Sequence, residues 1–212
     1  MVYNQKTIKT ISIIAFLWIS IININFAQKP IKLVKKKIAE NTITVSIPDD
    51  FTVMGEDVYA RKYGAYRQAL AMFTSPNGKI DFGINETINR SLMAVAAADF
   101  KEEDLKILKD IYKGSIKGMH SEVTFLQDEI VTIDKKRMIA LQFVGVVKDD
   151  EAKTITMKSG VLKQYSCIYY AVQEGKILIF NFTCPDFFRR QYQPVAQEVM
   201  QSIKIKTPKK KK

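Results

Sequence analysis

The segment Ile177–Cys184 constrains the fold more than any other, because it is apolar on both of the faces that a β-strand presents. Its alternating residues are all apolar on one side and partly apolar on the other: Leu178, Phe180, Phe182 and Cys184, against Ile177, Ile179, Asn181 and Thr183. A sheet that contains such a strand must be covered on both sides. The sequence therefore predicts an α+β fold, with an antiparallel sheet of about six strands sandwiched between helices.

Further strands are predicted wherever apolar and polar residues alternate. The strands of the C-terminal half are Glu129–Ile133, Arg137–Val147, Val161–Val172 and Ile177–Cys184. Turns are predicted between them, at Asp134–Lys136, Asp149–Lys153 and Glu174–Gly175. Connections this short join antiparallel neighbours, so this half is predicted to be a meander.

The N-terminal half begins with a predicted strand at Thr42–Ile47 and a short one at Phe51–Met54. A helix over Gly55–Tyr63 follows, with Gly64 at its left-handed cap position. The pattern then predicts a hairpin, whose parts are Ala69–Thr74, the turn Ser75–Gly78 and Lys79–Glu86.

Two longer helices complete the prediction. Asp99 and Glu102 have the spacing of a capping box that opens the first helix. Its predicted buried stripe has intervals of three and four residues: Leu105, Leu108, Ile111, Tyr112, Ile116 and Met119. Residues 87–98 are predicted to be a connection. The second helix ends near Ser202, with Pro194 in or close to its first turn, and its inward residues are Val195, Val199 and Met200.

Residues 1–27 have the pattern of a secretory signal peptide, namely two lysines, an apolar run from Ile11 to Ile22 and a small residue, Ala27. The apolar run is shorter than the roughly 20 residues of a membrane-spanning helix. We therefore expect a soluble periplasmic or secreted protein without a transmembrane anchor after cleavage. Residues 28–41 are predicted to be a basic N-terminal segment, 42–206 a single domain and 207–212 a basic C-terminal tail.

The basic excess lies at the two ends of the mature chain. The formal net charge of the whole chain is +11. All the acidic residues lie between positions 38 and 203, where they outnumber the lysines and arginines. A domain that binds nucleic acid would carry a basic stripe across its fold, so nucleic acid is not predicted as a partner. The lysine-rich ends are interpreted either as solubilising tails or as attraction to an anionic envelope component or acidic partner.

The sequence contains no recognisable catalytic, metal or cofactor motif. His120 is the single histidine, which excludes metal sites that need two or more histidines. An enzyme is therefore not predicted. One alternative is a small hydrolase in which His120 serves as base for Cys167, Cys184 or a serine. Another alternative is a soluble carrier with an apolar pocket between sheet and helices.

Cys167 and Cys184 lie on neighbouring predicted strands. A two-residue Glu174–Gly175 loop sets Cys167 opposite Phe182, which leaves the two cysteines one diagonal step apart on the same face. This distance is marginal for a disulfide, which usually needs Cα atoms within about 6.8 Å. A four-residue turn would place them directly opposite, and an oxidising compartment favours pairing. The sequence leaves both states open.

One segment has the composition of a partner-binding surface. Tyrosine and arginine concentrate binding energy at interfaces. They are interleaved here in one stretch, as Tyr59, Arg61, Tyr63, Tyr66 and Arg67. The alternative interpretation is that these residues anchor a short helix and its exit to the core.

The order of the predicted elements resembles the Mog1/PsbP-like superfamily of α/β/α sandwiches, which includes exported bacterial proteins of the DcrB type. The resemblance covers Thr42 to Lys206. It rests on Ser46-Ile47-Pro48, the Ser75–Gly78 hairpin, the long central helix, the meander and the ending from Tyr192-Gln193-Pro194 through Ser202–Lys206. It implies a non-enzymatic accessory or adaptor protein that binds another protein or an envelope component. It assigns no functional residues to this chain.

Overall fold

The computed structural model describes residues 30–64, 69–88, 101–148, 161–173 and 175–206. Every helix and strand of the described residues belongs to one compact unit that begins at Lys32. The predicted turn at Asp149–Lys153 and most of the predicted 87–98 connection lie outside the described residues.

The described elements are ten strands, three α-helices and one short 3₁₀ turn. Five strands and one helix form the N-terminal half: β1 (Leu33–Ile38), β2 (Ile43–Pro48), β3 (Thr52–Val53), α1 (Glu56–Tyr63), β4 (Ala71–Thr74) and β5 (Asp81–Ile88). The C-terminal half contains α2 (Glu102–Met119), β6 (Glu122–Ile133), β7 (Lys136–Lys148), β8 (Val161–Gln173), β9 (Lys176–Pro185), the 3₁₀ turn Asp186–Phe188, α3 (Arg189–Gln201) and β10 (Lys204–Ile205).

Two antiparallel sheets are present. The larger has seven strands in the order β3-β4-β5-β9-β8-β7-β6, and the smaller has the order β1-β2-β10. The meander of β6 to β9 is as predicted, because its tight turns take the positive φ angles of hairpins: 47° at Asp134, 66° at Lys135 and 74° at Gly175. The hairpin between β4 and β5 is also confirmed, with Gly78 at φ 65°.

Helices cover both faces of the seven-stranded sheet. Leu141 and Phe143 of β7 belong to the core cluster that contains Leu105 and Leu108 of α2, and we call this side the α2 face. The residues that alternate with them point to the opposite face of the sheet. On that face, the ring of Phe182 in β9 lies 6.3 Å from the ring of Tyr192 in α3. We call this side the α3 face. The predicted α+β sandwich is therefore confirmed.

The predicted N-terminal boundary of the domain was wrong. Residues 28–41 were predicted to lie outside the domain, but Leu33–Ile38 forms β1 and pairs along its whole length with β2. The run of lysines at positions 35–37 hides the strand pattern. The inward positions Val34, Lys36 and Ile38 are nevertheless less exposed than Lys35 and Lys37.

The long helix differs from its prediction at its start and along its surface. It begins at Glu102 rather than at an Asp99 cap, and the carboxylate of Asp104 accepts a hydrogen bond of 3.0 Å from the Lys101 N–H. Leu105, Leu108 and Ile116 are buried as predicted. Ile111 and Met119 are not, since they are 57% and 66% exposed.

Two further details concern β6 and α3. The strand predicted at Glu129–Ile133 begins at Glu122, and it contains a bulge between Phe125 and Gln127. Helix α3 begins at Arg189, which places Pro194 in its second turn, close to the first. The predicted inward residues of α3 are buried as expected.

Candidate functional site

Helix α1 is fixed to the sheet by polar contacts rather than by apolar packing, because none of its residues is buried. The carboxylate of Asp81, only 6% exposed, lies beneath the C-terminal turn of the helix. Its Oδ2 accepts hydrogen bonds of 2.9 Å from Lys62 Nζ and 2.7 Å from the Tyr63 hydroxyl. Its Oδ1 accepts one of 2.6 Å from Thr74 Oγ1. We call these four residues the Asp81 cluster.

A buried carboxylate is stable only when its charge is compensated and its lone pairs are used. The Asp81 cluster meets both conditions, since Lys62 supplies the charge and two hydroxyls supply further donors. Burial and the nearby Asp81 carboxylate raise the pKa of the Tyr63 hydroxyl well above its ordinary value. The phenol therefore remains a hydrogen-bond donor at physiological pH. The cluster holds α1 in place.

A pocket of about 320 Å³ opens beside the Asp81 cluster. Its walls are contributed by α1, the β4–β5 turn and the ends of β8 and β9, with Lys62, Tyr63, Asp81, Gln164, Thr183 and Pro185 among the lining residues. The lining mixes donors and acceptors, and the Tyr63 hydroxyl and the Asp81 carboxylate in it are already bonded to each other. This pocket can bind a polar group.

The predicted partner surface is only partly described. Tyr59, Arg61 and Tyr63 lie on α1, while Tyr66 and Arg67 lie outside the described residues. Arg61 is strongly exposed and forms a 3.3 Å ion pair with Asp57 one turn earlier. The rings of Tyr59 and Tyr63 contact each other with centroids 5.5 Å apart. The Tyr63 hydroxyl anchors the helix, and 42% of the residue remains exposed.

His120 lies at the C-terminal end of α2, on the α2 face. Its Nδ1 donates a 2.8 Å hydrogen bond to the Ile116 carbonyl. Its ring meets that of Phe143 edge-on, with centroids 5.6 Å apart. Gly145 leaves space for the imidazole, because a Cβ at this position would lie 2.3 Å from His120 Cδ2. These contacts give His120 a role in packing.

The cysteines lie on the opposite face of the sheet. Cys167 pairs with Phe182, which is the predicted register, and Tyr165 pairs with Cys184. Both cysteines are buried free thiols, and burial raises the pKa of each to about 12. Because β7 to β9 separate them from His120, the imidazole cannot act as base for either thiol. The structure therefore provides no support for a cysteine hydrolase built on His120.

The remaining chemistry of the described residues offers no metal site. No three His, Cys, Asp or Glu side chains in this part of the chain are grouped so that they could hold a metal ion. Between α2 and the sheet, the rings of Tyr112 and Tyr170 are stacked with centroids 4.0 Å apart. No helix of the described residues is long and apolar enough to span a membrane.

The three-stranded sheet brings lysines from both ends of the chain onto one face. Lys37 of β1 and Lys204 of β10 both pair with Thr44 of β2, so the three residues form one row across the sheet. Lys35 lies two residues from Lys37 on the same side. Lys206 continues the alternation of β10, and its N–H donates a 2.8 Å hydrogen bond to the Thr42 carbonyl.

Four exposed lysines lie on this side of the three-stranded sheet, namely Lys35, Lys37, Lys204 and Lys206. We call these four residues the basic face. Lys35 and Lys37 were predicted to lie in a basic N-terminal segment, and Lys204 and Lys206 at the C-terminal end of the domain. Their meeting on one sheet depends on the pairing of β1 and β10 with β2, for which the sequence carries no clear signal.

The fold is shared with proteins of known structure. Cyanobacterial PsbP (CyanoP) from Synechocystis sp. PCC 6803 is similar with a TM-score of 0.53 and 10% identity, over 84% of this chain and 95% of that chain. The Ran-binding protein Mog1p of Saccharomyces cerevisiae has a TM-score of 0.48 and 8% identity, over 83% and 96% of the two chains. LpqN of Mycobacterium tuberculosis, involved in cell envelope biogenesis, has a TM-score of 0.48 and 13% identity, over 85% and 93%.

The likeness to CyanoP thus confirms the fold that the order of elements implied. At 10% identity this likeness establishes the fold alone. No protein-family model matches the chain, and no curated protein matches it in sequence.

Proposed function

We propose that the chain is an exported, non-catalytic accessory protein that binds an anionic component of the cell envelope through its basic face. Export rests on residues 1–27, whose lysines, apolar run and small residue stand in the order of a signal peptide. The mature chain then begins at Gln28. The observation that carries the binding proposal is the single row of Lys37, Thr44 and Lys204.

The geometry of the basic face suits an anion. Lys37 and Lys204 flank Thr44 from two neighbouring strands, so their backbones are about 10 Å apart, twice the usual strand spacing. Between them, on the same side of β2, lie the half-buried residues Thr44 and Ser46. Like charges at this spacing repel one another, and a phosphate or carboxylate above the row relieves the repulsion. Glu40 and Asp49 lie in the turns beyond the ends of β2 and outside the row.

The charge distribution along the chain supports the same surface. Acidic residues outnumber basic ones between positions 38 and 203, so long-range attraction to an anion must originate outside those positions. Each cation held near an anionic surface contributes about 1 kcal/mol. Four of them together change affinity by on the order of several hundredfold.

Vesicle binding tests the proposal. Mature protein from Gln28 onward should co-sediment with vesicles that contain anionic lipid, less so at high salt, and not with neutral vesicles. Replacing the four lysines of the basic face by glutamine should abolish binding without lowering the melting temperature.

The matched control replaces four exposed lysines elsewhere by glutamine and so keeps the same net charge: Lys101, Lys106, Lys135 and Lys163. An equal loss of binding in both variants would show that net charge acts without a defined surface. Binding that neither salt nor the basic-face variant changes would refute the proposal. Deleting Lys209–Lys212 in a separate variant measures what the C-terminal tail adds.

A second candidate is a protein partner that docks on α1. It is favoured by the observation that α1 buries no residue and is nevertheless held firmly by the Asp81 cluster. A helix that contributes nothing to the core and presents Arg61 and a partly exposed Tyr63 is suited to recognition. A protein captured from envelope extract by the wild type and the basic-face variant, but not by Arg61→Ala, would favour this candidate.

A further inference from the structure

Helix α2 carries an apolar stripe on its exposed surface. Ile107 is 62% exposed and Ile111 is 57% exposed, and Met119 at the end of the helix is 66% exposed. Ile107 and Ile111 point away from the buried side formed by Leu105, Leu108 and Ile116, whereas Met119 is exposed because it ends the helix. Exposed aliphatic residues that follow one line along a helix are typical of an interaction surface.

Two glycines extend the line of Ile107 and Ile111. Gly114 and Gly118 follow at intervals of three and four residues, which is the repeat of a helix-packing seam. A Cβ built on either glycine meets nothing within 4 Å. Glycine is much less favourable than alanine inside a helix, and the described residues contain no neighbour that requires it here. We call Ile107, Ile111, Gly114 and Gly118 the α2 seam.

The α2 seam is complementary to itself in the antiparallel orientation. Its two large residues occupy the N-terminal half and its two gaps the C-terminal half. When two α2 helices cross about a two-fold axis, Ile107 lies opposite Gly118 of the partner subunit and Ile111 lies opposite Gly114 of the partner subunit. Each isoleucine then fills a space that a glycine leaves, and a two-fold axis makes every contact twice.

The charges beside the seam have the same symmetry. Asp110 and Lys117 are exposed and about two turns apart, so they lie on the same edge of the seam. The antiparallel arrangement brings Asp110 next to Lys117 of the partner subunit. A parallel arrangement would instead put the charges of the two copies on opposite edges of the interface, where they do not pair, and leave the glycines facing each other.

We propose that the α2 seam is the interface of a homodimer, with a second copy of this chain packed antiparallel on α2. One helix pair buries less surface than a standard stable interface. The dimer is therefore weak, with a dissociation constant on the order of 100 μM. It forms at high local concentration, for example on a surface.

Sedimentation equilibrium from about 10 μM to about 1 mM tests the proposal on the mature protein. Wild type should move from monomer to dimer over this range. Gly118→Leu fills the gap and should weaken association at least tenfold while the melting temperature at low concentration is maintained. Lys106→Leu is the matched control, since it adds the same side chain at an exposed position of α2 outside the seam.

Charge reversal tests the orientation and the identity of the partner. Asp110→Lys and Lys117→Asp should each weaken the dimer, and the double variant should restore it. Restoration within one chain is expected only when the partner is a second copy in the antiparallel orientation.

Cross-linking gives an independent readout. An equimolar mixture of Asp110→Cys and Lys117→Cys should form a disulfide between the two variants, whereas each variant alone should not. The native thiols do not interfere, because Cys167 and Cys184 are buried. A monomer at every concentration, an unchanged dimer in Gly118→Leu, or self-cross-linking of Asp110→Cys would each overturn the proposal.

Discussion

Gly145 and His120 form a contact whose energetics can be worked out from the structure. A Cβ on Gly145 would lie 2.3 Å from Cδ2 and 2.6 Å from Nε2 of the imidazole. The φ angle of Gly145 is not positive, so its backbone accepts alanine. The variant Gly145→Ala therefore sets a gain in chain entropy against the displacement of the ring.

The relative size of these two effects decides whether Gly145→Ala raises or lowers the free energy of unfolding. Replacing a strand glycine by alanine stabilises by about 0.5–1 kcal/mol. A displaced His120 loses its hydrogen bond to Ile116, about 0.5–1.5 kcal/mol. It also loses the edge-on contact with Phe143, about 0.5–1.5 kcal/mol. Gly145→Ala should therefore lower the free energy of unfolding by about 1 kcal/mol in the wild type.

The assay is a double-mutant cycle measured by urea denaturation. In a His120→Ala background the ring is absent, and Gly145→Ala should stabilise by about 0.5–1 kcal/mol. Gly114→Ala is the control, because its Cβ meets open space and its gain is independent of His120. The same effect of Gly145→Ala in both backgrounds would show that the imidazole is not held against Gly145, and the packing role assigned to His120 would be wrong.

Four further results are expected. Phe180 is fully buried, so Phe180→Asp places an unpaired charge in the core and should abolish the cooperative melt seen by circular dichroism. Asp81→Asn removes the charge that holds α1 and should cost about 2 kcal/mol in urea denaturation, and an unchanged midpoint would contradict the anchoring role. Burial opposes ionisation of Asp128, but the hydrogen bonds from two lysines of α2 outweigh it and lower its pKa. Its stabilisation is therefore present above the unfolded pKa and is lost as pH falls through the folded one, so acid denaturation should begin at higher pH in Asp128→Asn. Mass spectrometry of protein exported by its host should show a chain that begins at Gln28, whereas retention of residues 1–27 would contradict cleavage.

Those parts of the fold that depend on local chemistry could be predicted from the sequence. The Ser75–Gly78 turn needs positive φ at a glycine and has it. The Glu174–Gly175 loop sets the register of β8 and β9 by its length alone, so Cys167 was correctly placed opposite Phe182. The two apolar faces of Ile177–Cys184 required layers on both sides, and α2 and α3 provide them.

The parts that depend on long-range pairing could not be predicted in this way. β1 contains three consecutive lysines, which removes the alternation by which strands are recognised. It is a strand because its backbone pairs with β2. The basic face follows from that pairing and from the pairing of β10 with the same strand. The Asp81 cluster likewise joins α1 to the β4–β5 hairpin, and one aspartate in a sequence does not reveal three donors.

The apolar residues of α2 show why a correct helical periodicity can still lead to a wrong prediction of which residues are buried. A helix packed on one sheet buries an apolar arc of roughly 100°. The apolar residues of α2 extend well beyond this arc, since Leu105 and Ile107 are about 200° apart around the axis. One sheet cannot bury both sides, so the excess apolar surface had to remain outside. Interval rules alone place Ile111 with Leu108, whereas the width of the whole arc assigns it to the exposed seam. When the apolar arc of a helix is wider than the part that its packing partner covers, the uncovered part thus indicates a second contact surface before any partner is known.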